Sequence, residues 1–277
     1  MTSRPMFKAA AVQMVSTPSV EENLAAAVGL VAQAAEQGAK LVALPEYFCI
    51  FGMRDRDKVA AREKDGAGPI QDFLAATAAR HGVWLVGGSV PLECADPAKV
   101  RNSCLVFDAA GHRVARYDKI HLFGLDLGAE RFDEASTIEP GVEPRAVESP
   151  FGRIALSVCY DVRFPELYRA LAPMDIILVP SAFTATTGRA HWETLLRARA
   201  IENLAWVLAP AQGGKHQNGR ETHGHSMIID PWGKVVAERA TGPGVVMADI
   251  DPQFQTKMRS SLPALEHRVM RDPRLED

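Results

Sequence analysis

Three residues at the ends of predicted strands form a chemically coherent set. Glu46 follows the apolar run KLVALP, Lys119 closes the strand in RYDKIHL, and Cys159 ends RIALSV. Ligand crevices in α/β sheets open at strand ends. A thiolate is a strong nucleophile, but a free thiol is only a few per cent ionised at neutral pH and needs a base or a cation beside it. Glu46 in a dry pocket would bind protons tightly enough to be that base. Lys119 could hold the thiolate and then the oxyanion of a tetrahedral intermediate. The backbone N–H of Tyr160, at the start of the following helix, would be a second oxyanion donor. Taken singly, each residue has an ordinary explanation. A cysteine ending an apolar strand is more often a small buried hydrophobe, the glutamate a cap or loop residue, and the lysine a surface charge.

Other sites of comparable chemistry are absent from the sequence. There is no GxxxxGK(S/T) loop for phosphate and no GxGxxG after a strand. Gly224-His225-Ser226-Met227-Ile228 lacks the second glycine of a nucleophile elbow. His216, His223 and His225 have no matching Cys/His set and read as polar histidines rather than metal ligands. No metal is expected.

The elements that must position these residues alternate strand and helix, which points to an α/β or layered α+β domain. A strand is predicted over Phe7–Met14. A helix follows, opened by the capping-box spacing of Ser19 and Glu22 and closed at Gly38. Strands are expected at Lys40–Leu44 and Val83–Val90, with a helix over Pro69–Arg80 between them. Arg101–Asp108 and Arg113–Tyr117 alternate around Ala109-Ala110-Gly111 as a hairpin, so a purely parallel sheet is not expected. Residues 121–150 read as a long surface loop. Strands at Ile154–Val158, Asp175–Pro180 and Trp206–Ala209 enclose helices starting at Pro165 and spanning Ala190–Asn203. Gln212–Thr222 reads as a polar loop, and Met227–Asp230 with Lys234–Glu238 as a hairpin. With no repeat or linker, residues 1–277 are expected to form one domain.

Composition narrows the function classes. An apolar share of 47% excludes a disordered chain, and 277 residues can bury a sizeable core. Lys and Arg number 31 against 34 Asp and Glu, a balance unlike the basic face of a nucleic-acid binder. No apolar run reaches the roughly 20 residues of a membrane-spanning helix. The start, MTSRPMFKAAAVQM, lacks the apolar core of a signal peptide, and the four cysteines show no CxxC spacing. These features predict a cytoplasmic protein with reduced thiols.

The three segments also occur together in a known order. Leu44-Pro45-Glu46, Tyr117-Asp118-Lys119-Ile120-His121-Leu122 and Cys159-Tyr160-Asp161-Val162-Arg163-Phe164-Pro165-Glu166 resemble the base, lysine and nucleophile segments of the nitrilase superfamily of carbon–nitrogen hydrolases. The resemblance runs over nearly the whole chain. It implies a Glu46–Lys119–Cys159 triad, with Glu134 in Phe132-Asp133-Glu134 as a helper that positions Lys119 or substrate. The fold it implies is α+β, a four-layer α-β-β-α sandwich of two mixed sheets, paired as a homodimer or higher homo-oligomer through helices near the nucleophile. No organic cofactor is implied, since the step is acyl transfer to cysteine. Tyr160-Asp161 stands where nitrile-cleaving members carry Trp-Glu. Pro180-Ser181-Ala182-Phe183 and the segment from Thr186 to Glu193 are similar to a branch of small-molecule amidases. That branch acts on 2-oxoglutaramate units, releasing either cysteinylglycine from deaminated glutathione or ammonia from 2-oxoglutaramate. In those amidases the position of Arg163 meets the 2-oxo acid carboxylate, with Phe183 and Thr187 at further pocket positions. A salt bridge from Arg163 to Glu166 or Asp161 is the alternative reading. A catalytically silent binding module on the same fold is a second alternative, against which the intact triad counts.

Overall fold

The computed structural model describes residues 4–128 and 130–270. The first half of the chain runs β1 (Phe7–Gln13), α1 (Val20–Glu36), β2 (Ala39–Ala43), α2 (Asp57–Ala60), α3 (Pro69–His81), β3 (Trp84–Val86), β4 (Val90–Leu92), β5 (Arg101–Phe107) and β6 (Arg113–Asp118). Then come β7 (Gly124–Asp126), β8 (Arg131–Asp133), β9 (Arg145–Ser149), β10 (Gly152–Leu156), α4 (Pro165–Leu171) and β11 (Ile176–Leu178). The last third holds α5 (Ala185–Asn203), β12 (Trp206–Ala209), β13 (Gly213–Lys215), β14 (Glu221–His223), β15 (Ser226–Ile229), β16 (Val235–Arg239), β17 (Gly244–Ile250) and α6 (Pro252–Ser261).

Two mixed sheets form the middle of the molecule. One has the order β17-β1-β2-β3-β5-β4 with β6 paired to β5, and the other β16-β15-β12-β11-β10-β9. Within them β1, β2 and β3 run parallel, as do β10, β11 and β12, while the flanking pairs are antiparallel. The two-residue period of a strand explains the layers. Ala9 and Ala11 of β1, with Leu41 and Ala43 of β2, point into a core shared with Ile154, Leu156 and Leu178 of the second sheet. Their sequence neighbours Ala10, Val12 and Val42 turn the other way, against Ala27 and Val31 of α1 and Leu74 of α3. Trp192, Leu196 and Ala200 of α5 cover the far side of the second sheet with Tyr168 of α4. The result is the α-β-β-α sandwich the resemblance implied. Among the described residues, no helix is long and apolar enough to cross a membrane.

Local chemistry sets the helix ends. Ser19 Oγ accepts the Glu22 N–H at 3.3 Å, but the Glu22 carboxylate takes the Thr17 hydroxyl at 2.9 Å instead of closing the expected box. α5 starts at Ala185, five positions before the predicted start, because Thr184 caps it through the Thr187 N–H at 3.3 Å. Thr186, Thr187 and Gly188 have weak helix propensity, which hid that first turn. Gly188 is needed there, since a Cβ would fall 2.3 Å from the His223 side chain.

The structure corrects other expectations. Residues 121–150 are not one loop: they hold the β7–β8 hairpin and β9, the edge strand of the second sheet. Gln212–Thr222 contains the β13–β14 hairpin. β17, which pairs with β1 along its whole length, was not expected at all.

The predicted strand Val83–Val90 is broken into β3 and β4, and the break serves the site. Gly88 has φ +50°, and a Cβ on it would lie 2.0 Å from the Pro45 carbonyl oxygen. The next residue, Ser89, accepts the Tyr47 N–H on its hydroxyl at 2.9 Å. The glycine thus lets one loop dock against the loop that carries Glu46. Gly88→Ala is expected to cost about 3 kcal/mol or more in urea unfolding, through backbone strain and a forced shift of Pro45. It should lower turnover in the folded fraction as well, because the shift moves Glu46.

Candidate active site

Glu46, Lys119 and Cys159 come from three different loops, and the fold brings them together below the surface. Glu46 and Lys119 are each 1% exposed and Cys159 8%. Glu46 Oε1 accepts from Lys119 Nζ at 3.0 Å and from Asn102 Nδ2 at 2.9 Å. Its Oε2 accepts the Ala182 N–H at 3.0 Å. With both oxygens held, the carboxylate has one orientation. Lys119 Nζ also donates to Glu134, at 2.7 Å to Oε2 and 3.0 Å to Oε1. Glu134 is fixed in turn by the Phe123 N–H at 2.7 Å and the Tyr47 hydroxyl at 3.0 Å.

The thiol of Cys159 lies beside Glu46 and Lys119, close enough for both charges to act on it. Burial and the Glu46 charge push the thiol well above its usual range, against the pull of Lys119. The resting sulfur is therefore protonated. Burial raises Glu46 too, opposed by the Lys119 charge. Burial disfavours the Lys119 charge, yet Glu134 and Glu46 together override it and hold the ammonium well above the usual lysine range. For Glu134, burial is outweighed by the charge and hydrogen bonds of Lys119, so its carboxyl is held below the ordinary value. A neutral thiol next to a carboxylate of raised proton affinity has an acceptor in place for its proton, and the permanent cation alongside can stabilise the thiolate that transfer would leave.

Backbone strain sits at the same place. Tyr47 and Cys159 have φ of +56° and +51°, the left-handed region that non-glycine side chains rarely adopt. Cys159 opens a short 3-10 turn, Cys159–Arg163, whose conformation is pinned by Asp161. This fully buried carboxylate accepts the Val158 N–H at 2.8 Å, the Tyr117 hydroxyl at 2.7 Å and the His121 N–H at 3.1 Å. Tyr117 and His121 flank Lys119, so Asp161 ties the lysine segment to the nucleophile turn. Burying a carboxylate this deeply is tolerable because its lone pairs are satisfied.

A cavity of about 590 Å³ opens over Cys159, Glu46 and Glu134. That is the size of a small-molecule site. Its wall also carries Tyr47, Lys58, Thr186, Arg189 and Arg220. Glu130 lines it as well, with Oε1 bonded to the Thr186 hydroxyl at 2.8 Å and Oε2 buried without a partner. Arg163, Phe183 and Thr187 are not among the lining residues. The Arg163 guanidinium lies 5.5 Å from the Tyr160 ring centroid and 5.3 Å from that of Phe183, with Nη1 3.2 Å from His191 Nδ1. It pairs with neither Glu166 nor Asp161. The Thr187 hydroxyl is bonded to Thr184 at 2.8 Å. His223 stacks on His225 at 4.3 Å, and His216 is bonded to the Ser16 carbonyl and the Thr222 hydroxyl. Among the described residues no cluster of His, Cys, Asp or Glu is arranged to hold a metal ion.

Sequence reasoning missed Asn102, Tyr47, the Ala182 N–H and the Asp161 hub. Asn102 left a trace as a polar side chain inside an apolar strand, and Asp161 and Ala182 stand in segments that carry the resemblance, without a sign of these roles.

A sequence model of the carbon–nitrogen hydrolase family matches residues 8–259. The deaminated glutathione amidase of Synechocystis sp. is 42% identical over 95% of this chain and 98% of its own. That of Mus musculus is 39% identical over 96% of this chain and 84% of its own. An omega-amidase of Xenopus tropicalis is 35% identical over 95% of each. Among solved structures, the C. elegans NitFhit protein superimposes with a TM-score of 0.88 at 37% identity, covering 97% of this chain and 66% of that one. A Saccharomyces cerevisiae protein of branch 10 of the nitrilase superfamily gives 0.86 at 29%, covering 96% and 97%. The strand-end glutamate, lysine and cysteine, the two-sheet sandwich and the family match over most of the chain lead to one conclusion: this protein belongs to the carbon–nitrogen hydrolase family of the nitrilase superfamily.

Proposed function

We propose that this protein is a cysteine-dependent amidase that hydrolyses deaminated glutathione to 2-oxoglutarate and cysteinylglycine. The observation that carries the chemistry is the buried Glu46–Lys119 pair set beside the Cys159 thiol at the cavity. The choice of amide rests on the relatives at 38–42% identity that bear that activity in their names.

In this reading Cys159 Sγ attacks the amide carbonyl carbon while its proton passes to Glu46. Lys119 and the Tyr160 N–H stabilise the oxyanion. The C–N bond then breaks, Glu46 returns the proton to the leaving amine, and cysteinylglycine departs. A 2-oxoglutaryl thioester remains on Cys159. Glu46 next takes a proton from water, the hydroxyl adds to the thioester carbon, and collapse releases 2-oxoglutarate and the thiol. Glu134 acts through Lys119, whose charge and position it fixes. Arg163, with Phe183 and Thr187, would serve the 2-oxo acid end after a side-chain movement toward the cavity.

Residues 1–277 act as one hydrolase domain in this scheme, and the functional unit is a homodimer through α4 and α5, the helices nearest the nucleophile. The four cysteines are free thiols, in keeping with a cytoplasmic setting.

The deciding experiment supplies deaminated glutathione and 2-oxoglutaramate and measures both the amine and the 2-oxo acid. The expected result is stoichiometric cysteinylglycine and 2-oxoglutarate from the first, together with a mass increase on Cys159 that vanishes in Cys159→Ala. Faster release of ammonia from 2-oxoglutaramate would assign the omega-amidase reaction instead. No turnover and no adduct with either amide would leave a binding module.

A further inference from the structure

Building on the amidase reading, we infer that the Lys58 ammonium is a recognition group for a carboxylate of the substrate. Lys58 sits in α2 and lines the cavity that contains Cys159 and Glu46. Its Nζ makes one long hydrogen bond, 3.4 Å to Thr137 Oγ1, and lies 5.2 Å from the Tyr47 ring centroid. An ammonium has three donors, so this cation has capacity left over.

The other cations of the cavity wall are differently placed. Arg220 is paired with Asp55 at 2.8 Å and Arg131 with Asp126 at 3.7 Å. Arg54 and Arg189 are exposed, and water solvates them. Lys58 is half-buried and has no ion-pair partner among the described residues. A charge partly withdrawn from water without a partner is costly to hold, and burial accordingly lowers its proton affinity, with the more distant Glu134 and Asp55 only partly restoring it. A ligand carboxylate entering the cavity supplies the missing partner and is held by a charge-assisted hydrogen bond.

The local charge count agrees. Glu46, Glu134 and Lys119 sum to one negative charge next to the nucleophile, which would repel an anionic amide. Lys58, across the Tyr47 ring from Glu134, cancels that charge on the cavity side. Deaminated glutathione carries two carboxylates, one on each side of the scissile amide, either of which Lys58 could meet. Arg163 lies outside the cavity lining, and Lys58 is inside it.

Lys58→Gln and Lys58→Arg test this with three amides. 2-Oxoglutaramate carries its carboxylate on the acyl side, N-butyryl-cysteinylglycine on the leaving side, and butyramide has none. In Lys58→Gln the expected result is a tenfold or larger rise in KM for the acid on the side Lys58 serves. Values of kcat should stay within twofold, butyramide should be unchanged, and Lys58→Arg should recover part of the loss. Equal losses on all three amides would mean a structural role through Tyr47, and unchanged KM for both acids would mean no role; either result overturns the inference. Calorimetric titration of Cys159→Ala with 2-oxoglutarate, with and without Lys58→Gln, needs no turnover. A wild type that hydrolyses none of the amides sinks the functional reading, whereas unaltered 2-oxoglutarate affinity in the double variant, together with unchanged KM, sinks only the lysine.

Discussion

Glu46→Gln is expected to lower kcat/KM by about 1,000-fold while making the Cys159 thiol more, not less, reactive toward iodoacetamide at neutral pH. The two effects have opposite signs because Glu46 has two parts in the proposed mechanism. There it accepts the thiol proton and then gives it to the leaving amine, and loss of a positioned acid–base group costs about 10²–10⁴ in rate. It is also a negative charge beside the sulfur, and after burial it is the largest influence holding the thiol up. Glutamine has one acceptor oxygen, enough for either the Asn102 and Lys119 donors or the Ala182 N–H but not both, and it removes that charge. The Lys119 cation is then less opposed, so the thiol titrates at lower pH. Rates of alkylation and of amide hydrolysis measured across pH 6–9 separate the effects. A variant that retains turnover would remove Glu46 as the base and shift attention to one of the histidines.

The inner strands and the main helices were legible in the sequence where a local pattern existed. β1 and β2 read as short continuous apolar runs, the pattern of strands covered on both faces, with one side chain toward the second sheet and the next toward α1. Elements whose reason lies elsewhere in the chain were not legible. Gly87-Gly88 ends β3 because Pro45, more than forty residues earlier, needs the space that a Cβ would fill. The first turn of α5 exists through the Thr184 cap, and its glycine through a distant histidine. β7 and β8 are three-residue strands in a polar segment, too short to show a period.

The site divides in the same way. Glu46, Lys119 and Cys159 could be named from strand ends and segment resemblance, and the fold does bring them together. The groups that orient them are joined across long stretches of chain: Asn102 to Glu46 across 56 positions, Tyr117 to Asp161 across 44, the Ala182 N–H to Glu46 across 136. No local pattern encodes such pairs. Arg163 shows the converse. Its segment match is clear, yet in the structure its guanidinium is taken up by two aromatic rings and a histidine.

Lys119→Met should be the most destabilising single change at the site, by about 3–5 kcal/mol in urea unfolding at pH 8. The methionine fills the volume, so the loss is electrostatic. Glu46 and Glu134 both accept hydrogen bonds from the same ammonium, at 3.0 and 2.7 Å. Without it, two buried carboxylates face one another, and the cheapest remedy is for one to take up a proton. That raises a folded-state carboxyl pKa above its unfolded value. Stability from such a group is fully present below the unfolded carboxylate pKa and is lost as pH rises through the folded one. The penalty of Lys119→Met must therefore shrink as pH falls from 8 toward 5, opposite to the behaviour of the native ion pair, in which Glu134 is held low by Lys119. Adding Glu134→Gln removes the second charge and should restore much of the stability at pH 8 without restoring turnover, since the cation proposed to hold the oxyanion is still missing. A penalty that stays flat with pH, or a double variant no more stable than the single, would mean that the two carboxylates do not share this lysine in solution.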